Sequence, residues 1–291
     1  MAVYERTYHT YSGPVTPEKS RFLVLPRYAY REVFQSRFFV AFFVACFVWP
    51  LVLAVMIYLP HNVSFLKAIQ TEASSITSLF KYDATFFFKF FMWWHGLLAF
   101  VMAFVVGPAL ISADLRNNGL PLYLSRPFSR AEYILGKSTV MILLLSSITW
   151  IPGLLLFGLQ CYLGGWSWFR EHGMIGISIL LSFAIWILIL CLICLSLSAY
   201  VKWKPVARAA LFGVFFVLSA LGGLVNLLLD TSWGSLIDIF GMVMVVWSGL
   251  FGIPGPVDVP VWAAWGSLIA FCAICLLLLS RKVRAYEIVR S

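Results

Sequence analysis

The sequence predicts an all-α integral membrane protein of six transmembrane helices with both termini in the cytoplasm. Three observations predict it. Of 291 residues, 62% are hydrophobic and only 11% charged, whereas soluble domains carry roughly a quarter charged residues. Six apolar stretches are each long enough to cross about 30 Å of hydrocarbon at about 1.5 Å per residue. Lys and Arg are distributed unevenly among the connections between them.

The first 37 residues are polar and basic. They show no short apolar core followed by a small-residue cleavage site, so the N-terminus is expected to stay in the cytoplasm. Within them, Arg27, Arg31 and Arg37 alternate with Tyr28, Tyr30, Val33 and Phe34, as in an amphipathic helix lying on the inner surface. Pro26 is placed to start that helix. The six spans follow at Phe38–Leu59, Phe90–Ile111, Ser138–Gln160, Met174–Tyr200, Ala209–Leu229 and Val259–Ser280, and none contains Asp, Glu, Lys or Arg. They make up one transmembrane domain, 38–280, which ends in a basic cytoplasmic tail, 281–291. On the outer side, 61–85 spaces apolar residues at near-helical intervals, predicting a short interfacial helix.

Orientation follows from the basic residues. The N-terminal segment, the stretch 112–137, the loop 201–208 and the tail hold seventeen Lys and Arg, against four in the alternate connections. The excess faces the cytoplasm. The segment 234–253 is, apart from Asp238, apolar and long enough to be a seventh span, which would put the basic tail outside. The connection 230–258 instead holds Asp230, Asp238 and Asp258, no Lys or Arg, and several Gly and Pro. It is read as a re-entrant hairpin in the outer leaflet, allowed where irregular backbone is shielded by protein.

The net charge of +9 is explained by topology rather than by nucleic acid, because the basic residues flank spans instead of forming a patch. Ion-coupled carriers keep ionisable groups inside the bilayer, and the predicted spans have none. His95, Thr149 and Asn226 are therefore the candidates for lining a substrate path, with hydrogen bonding between helices as the competing role. Pro50, Pro108 and Pro152 should kink three spans, and Gly222 with Gly223 should allow close backbone approach. Cys191-x-x-Cys194 and Cys272-x-x-Cys275 sit mid-helix and read as small packing residues rather than redox or metal pairs. Asn62-Val63-Ser64 matches a glycosylation sequon, which matters only in a source that glycosylates.

The longest polar interruption, Ser112 to Lys137, holds Asp114, Arg116, Arg126, Arg130, Glu132 and Lys137. Gly136-Lys137-Ser138 imitates the close of a phosphate-binding loop, but Ala131 stands where the first glycine belongs and no strand precedes it. The remaining pattern is Asp114 and Arg116, Gly119, Leu122 and Leu124, Ser125-Arg126-Pro127, Ser129-Arg130, then Gly136-Lys137. In this order it resembles the stretch after the second span in the membrane subunit, or permease, of type 2 ATP-binding-cassette (ABC) exporters. The family often has Glu near the start, where this chain has Ala113-Asp114, and Pro121 interrupts the Gly-Leu section.

The resemblance implies a homodimer of permeases in a bacterial inner membrane, each docked on a separate cytoplasmic ATPase that binds ATP and Mg, with no cofactor in this chain. Asp114, Arg116, Leu122, Leu124, Arg126, Pro127, Arg130 and Lys137 are then the ATPase-coupling residues. Physically, Leu122, Tyr123, Leu124 and Phe128 offer an apolar face, and Arg126 and Arg130 offer multi-donor contacts to carboxylates. A solvated loop obeying the positive-inside rule is the competing reading. The alternative functions are a non-transporting scaffold or assembly subunit and, less well supported by any catalytic group, a membrane-embedded enzyme.

Overall fold

The computed structural model describes residues 24–62, 82–108, 112, 130–201 and 203–288. Among them the regular elements are helices, with no strand. Six helical segments are long and apolar enough to cross a membrane, at Arg37–Leu59, Ala84–Val106, Glu132–His172, Met174–Tyr200, Lys204–Leu229 and Val261–Lys282. The expected class of a multi-pass helical membrane protein therefore stands.

Helix α1 (Val24–Phe34) carries Pro26 in its first turn, where the missing N–H costs nothing. It is followed by α2 (Arg37–Ala45), which Ser36 caps by accepting from the Phe39 N–H at 3.4 Å. The first span then breaks at Cys46 and Phe47 and resumes as α3 (Val48–Asn62). Pro50 explains the break: it has no N–H for the Cys46 carbonyl, and its ring crowds that turn.

The second span differs from the expected Phe90–Ile111. It begins at α4 (Ala84–Phe86), capped by Asp83 on the Phe86 N–H. It then passes through a π-helical turn, Phe87–Met92, into α5 (Trp93–Val106). The phenylalanine run hid this start, and Lys89 lies within the span, exposed on the π-helical turn. The wider turn presents the Phe90 carbonyl to Trp49 Nε1 at 2.6 Å, which ties α3 to this span. Helix α5 ends at Val106, and Gly107, just before Pro108, still has helical dihedrals (φ −55°, ψ −51°) and donates to the Ala103 carbonyl.

The third apolar segment is longer than the expected Ser138–Gln160. It comprises α6 (Arg130–Ile148) and α7 (Trp150–His172), joined at Thr149 with φ −113° and ψ −98°. Pro152 would crowd the Ile148 carbonyl, so α6 ends there. The 41 residues of Glu132–His172 would run about 60 Å as a straight helix, about twice the hydrocarbon thickness. Gly165 turns the chain inside α7 with φ +74°, a conformation glycine adopts without steric cost.

Helix α8 (Met174–Tyr200) is the central post. It is apolar on all sides, and eighteen of its residues are buried, the signature of a helix enclosed by others. It packs against α5, α6, α7, α9 (Lys204–Leu229), α10 (Ile239–Phe251) and α11 (Val261–Ile288). Trp186 on α8 donates from Nε1 to the Gly96 carbonyl at 3.0 Å, and Trp247 on α10 donates to the Ser182 carbonyl at 2.9 Å. Cys194 packs onto Gly107 and the Ala103 carbonyl, in keeping with a packing role. The fifth span starts at Lys204 rather than Ala209, and α11 continues through the basic residues to Ile288. The helices reach beyond the predicted spans and take in charged residues on either side of them: Arg37, Lys89, Glu132, Lys137, Arg170, Glu171, Lys204, Arg208, Arg281 and Lys282 all fall inside the helical limits.

A 3-10 helix, Trp233–Ile237, folds back on the end of α9. A Cβ at Gly222 would stand 2.7 Å from the Gly234 carbonyl oxygen, whereas one at Gly223 would meet nothing within 4 Å. The expected close approach therefore rests on Gly222 alone. Gly222→Ala should destabilise the protein by about 1–3 kcal/mol through this backbone clash, and Gly223→Ala should be neutral or slightly stabilising. Thermal unfolding of both variants in nanodiscs checks the contrast.

Candidate functional site

Of the stretch 112–137, Ser112 and residues 130–137 are described. Asp114, Arg116, Leu122, Leu124, Arg126 and Pro127 lie outside the described residues. Its two ends are described, and both are anchored. Ser112 is buried and donates from Oγ to the Val201 carbonyl at 2.6 Å and to the Ser198 carbonyl at 3.3 Å. These carbonyls belong to the C-terminal end of α8, where no further helical N–H exists to satisfy them. Sequence reading did not single Ser112 out as a site residue, since its role depends on a partner 86 and 89 residues away.

At the other end Arg130 opens α6. Tyr133 is fully buried one turn later, and Lys137 Nζ sits 5.8 Å from its ring centroid, within range of a cation–π contact. The amphipathic α1 packs against α6, and Tyr30 donates from its hydroxyl to the Val140 carbonyl at 3.3 Å. Burial pushes the Tyr30 phenol up to about 12. Arg208 adds a further tie: its Nη2 donates to the Val105 carbonyl at 3.1 Å, favourable at a helix C-terminus. Counting Arg208 as a loop charge missed this bond, because only the packing of α9 against α5 brings the two together.

The three candidate path residues do not converge. His95 is fully buried; its Nδ1 faces the Phe91 carbonyl at 3.1 Å and its ring stacks on Phe91 at 4.1 Å. Its Nε2 has no hydrogen-bond partner among the described residues. Thr149 is also fully buried, and its hydroxyl donates to the Leu145 carbonyl at 2.7 Å, beside the break that Pro152 creates. Asn226 donates from Nδ2 to Ser235 Oγ at 2.7 Å, joining α9 to the 3-10 helix. Thr149 and Asn226 therefore act as internal ties. Phe91 links two of the three neighbourhoods, since a Cβ at Gly153, four residues beyond Thr149, would come within 2.6 Å of its ring.

Among the described residues no three His, Cys, Asp or Glu side chains gather where they could hold a metal ion. No protein-family model matches the chain, and no curated protein matches it.

Tyr30→Phe should weaken the docking of α1 on α6 by about 1 kcal/mol, the usual net worth of one hydrogen bond. Because the folded phenol titrates near 12 instead of 10, docking should hold full strength below pH 10 and weaken from there to about pH 12. A nitroxide placed at Tyr28→Cys should gain mobility in that window in the wild-type background, and the pH step should vanish in the Phe variant.

Proposed function

We propose that the chain is the permease of a type 2 ABC exporter, in which separate ATPase subunits drive transport through the stretch 112–137. The residue order from Asp114 to Lys137 carries this reading. The anchoring of both ends of the stretch supports it: Ser112 is tied to α8, the most enclosed helix, and Arg130 runs directly into α6, which bears α1. A displacement imposed on the stretch by a partner has a rigid route into the bundle from each end. ATP and Mg belong to the partner chain. A second copy of the permease completes the path, and the assembly sits in a bacterial inner membrane.

Even span number and the seventeen-to-four excess of basic residues support cytoplasmic termini. Helix α10 has 13 residues, about 20 Å of helix and too short for about 30 Å of hydrocarbon. That shortness supports the re-entrant reading of 230–258. Of the path candidates, His95 Nε2 and Asn226 Oδ1 are both buried without a hydrogen-bond partner among the described residues, and these are the atoms left to meet cargo once the surrounding helices part.

Arg126→Glu with Arg130→Glu should weaken association with the cognate ATPase by about 2 kcal/mol or more, roughly thirty-fold. ATP hydrolysis by the complex in nanodiscs should lose its dependence on the permease. A well-folded wild type that binds no ATPase would sink the exporter reading, and association without vectorial transport would favour the scaffold. Single cysteines at Ser235 and Tyr286, in a background stripped of native cysteines, should label from opposite sides of the membrane. Labelling from one side would refute the six-span topology.

A further inference from the structure

A cleft of about 370 Å³ opens between α5, α9 and the start of α10. Its walls are mainly aromatic: Trp93, Phe100, Phe215, Phe216 and Phe240, with the Asp238 carboxyl as the acidic group among the lining residues. The rings form a braced set. Phe100 meets Phe215 edge-on at 4.9 Å, and Trp93 meets Phe240 at 5.7 Å. Behind them Trp186 holds both Phe215 and Phe240 at 5.8 and 5.9 Å, and its own indole is fixed to Gly96.

Asp238 occupies the N-cap position of α10, yet its side chain makes no cap hydrogen bond. The carboxyl lies against Gly241, where a Cβ would come within 2.7 Å of Oδ2. No Lys or Arg lines the cleft, and none occurs anywhere in 230–258. Asp238 is partly exposed, so its carboxylate is accessible to a ligand that enters the cleft. A lipid chain would fill the apolar walls but leave that carboxylate unmatched. An organic ammonium ion satisfies both features, because the faces of Trp and Phe attract cations and the carboxylate neutralises them.

We propose that this cleft binds an organic ammonium ion with an apolar body, its charged nitrogen held between Asp238 and the faces of the surrounding rings. Binding at this site does not depend on the export reading, and it is measured without an ATPase. Its strength should come from the charge as much as from the apolar contact.

The test is saturation binding of radiolabelled benzyltrimethylammonium to the purified full chain in nanodiscs of zwitterionic lipid, with empty nanodiscs as blank. Unlabelled tetraethylammonium should displace the probe, and neutral 3,3-dimethyl-1-butanol or anionic benzenesulfonate should not. Asp238→Asn keeps a good N-cap residue and should weaken binding about ten-fold, equivalent to about 1.4 kcal/mol. Phe216→Leu changes a half-exposed ring outside the core and should weaken it several-fold with unchanged thermal stability. The proposal is overturned if the wild type shows no saturable binding, if Asp238→Asn binds as well, or if the neutral alcohol displaces equally. It is also overturned if a cross-linked second copy fills the cleft and abolishes binding.

Discussion

The indole of Trp186 hydrogen-bonded to the Gly96 carbonyl is the contact on which the bundle's centre depends. A buried indole N–H in a bilayer has no water to turn to, so it must find a protein acceptor or cost several kcal/mol. Gly96 has no side chain to obstruct that approach, and Trp247 packs over the same position: a Cβ there would meet its ring at 2.9 Å. Trp186 and Trp247 then meet edge-on at 6.3 Å. One residue without a Cβ thus lets α5, α8 and α10 close on one another, and Phe215 of α9 is held against the same indole.

Much of this architecture was legible in the sequence, for a simple reason. A chain of apolar runs punctuated by basic connections has few ways to satisfy its backbone in lipid, and helices are the principal one. Pro50 and Pro152 announced breaks in their spans, because each lacks a donor that the helix requires. Helix limits were less legible. Lys89 and Lys204 looked like connection residues, yet long basic side chains extend from a helix end while the helix itself continues. The third segment also runs past the expected Gln160, with a kink at Gly165 before it reaches His172.

The site was legible only as an ordered set of residue types. The motif from Asp114 to Lys137 could be read because spacing along the chain survives without coordinates. What holds its ends could not, since Ser112 chooses carbonyls on α8 and Tyr30 chooses one on α6. Polar groups at depth were recognisable as exceptions in an apolar chain, but their partners were not: Thr149 turns back on its own helix, while Asn226 reaches the 3-10 helix beyond the turn. Asp238 stood out only as one of three acids in a connection. Of its aromatic surroundings, Trp93 and Phe100 lie more than a hundred positions away in the chain, and the set comes together only when α5, α9 and α10 assemble.

The joint at Thr149 divides one apolar segment into two rods that share α8 as a neighbour and differ in the others. Helix α6 lies against α1, whereas α7 lies against α3 and is pinned through Gly153 to Phe91. The hydrogen-bond ladder that would stiffen a continuous helix is interrupted there, and the Thr149 hydroxyl fills part of the gap. The segment is therefore two rods meeting at residue 149 and not one, so the contact with α1 and the contact with α3 are carried by separate helices.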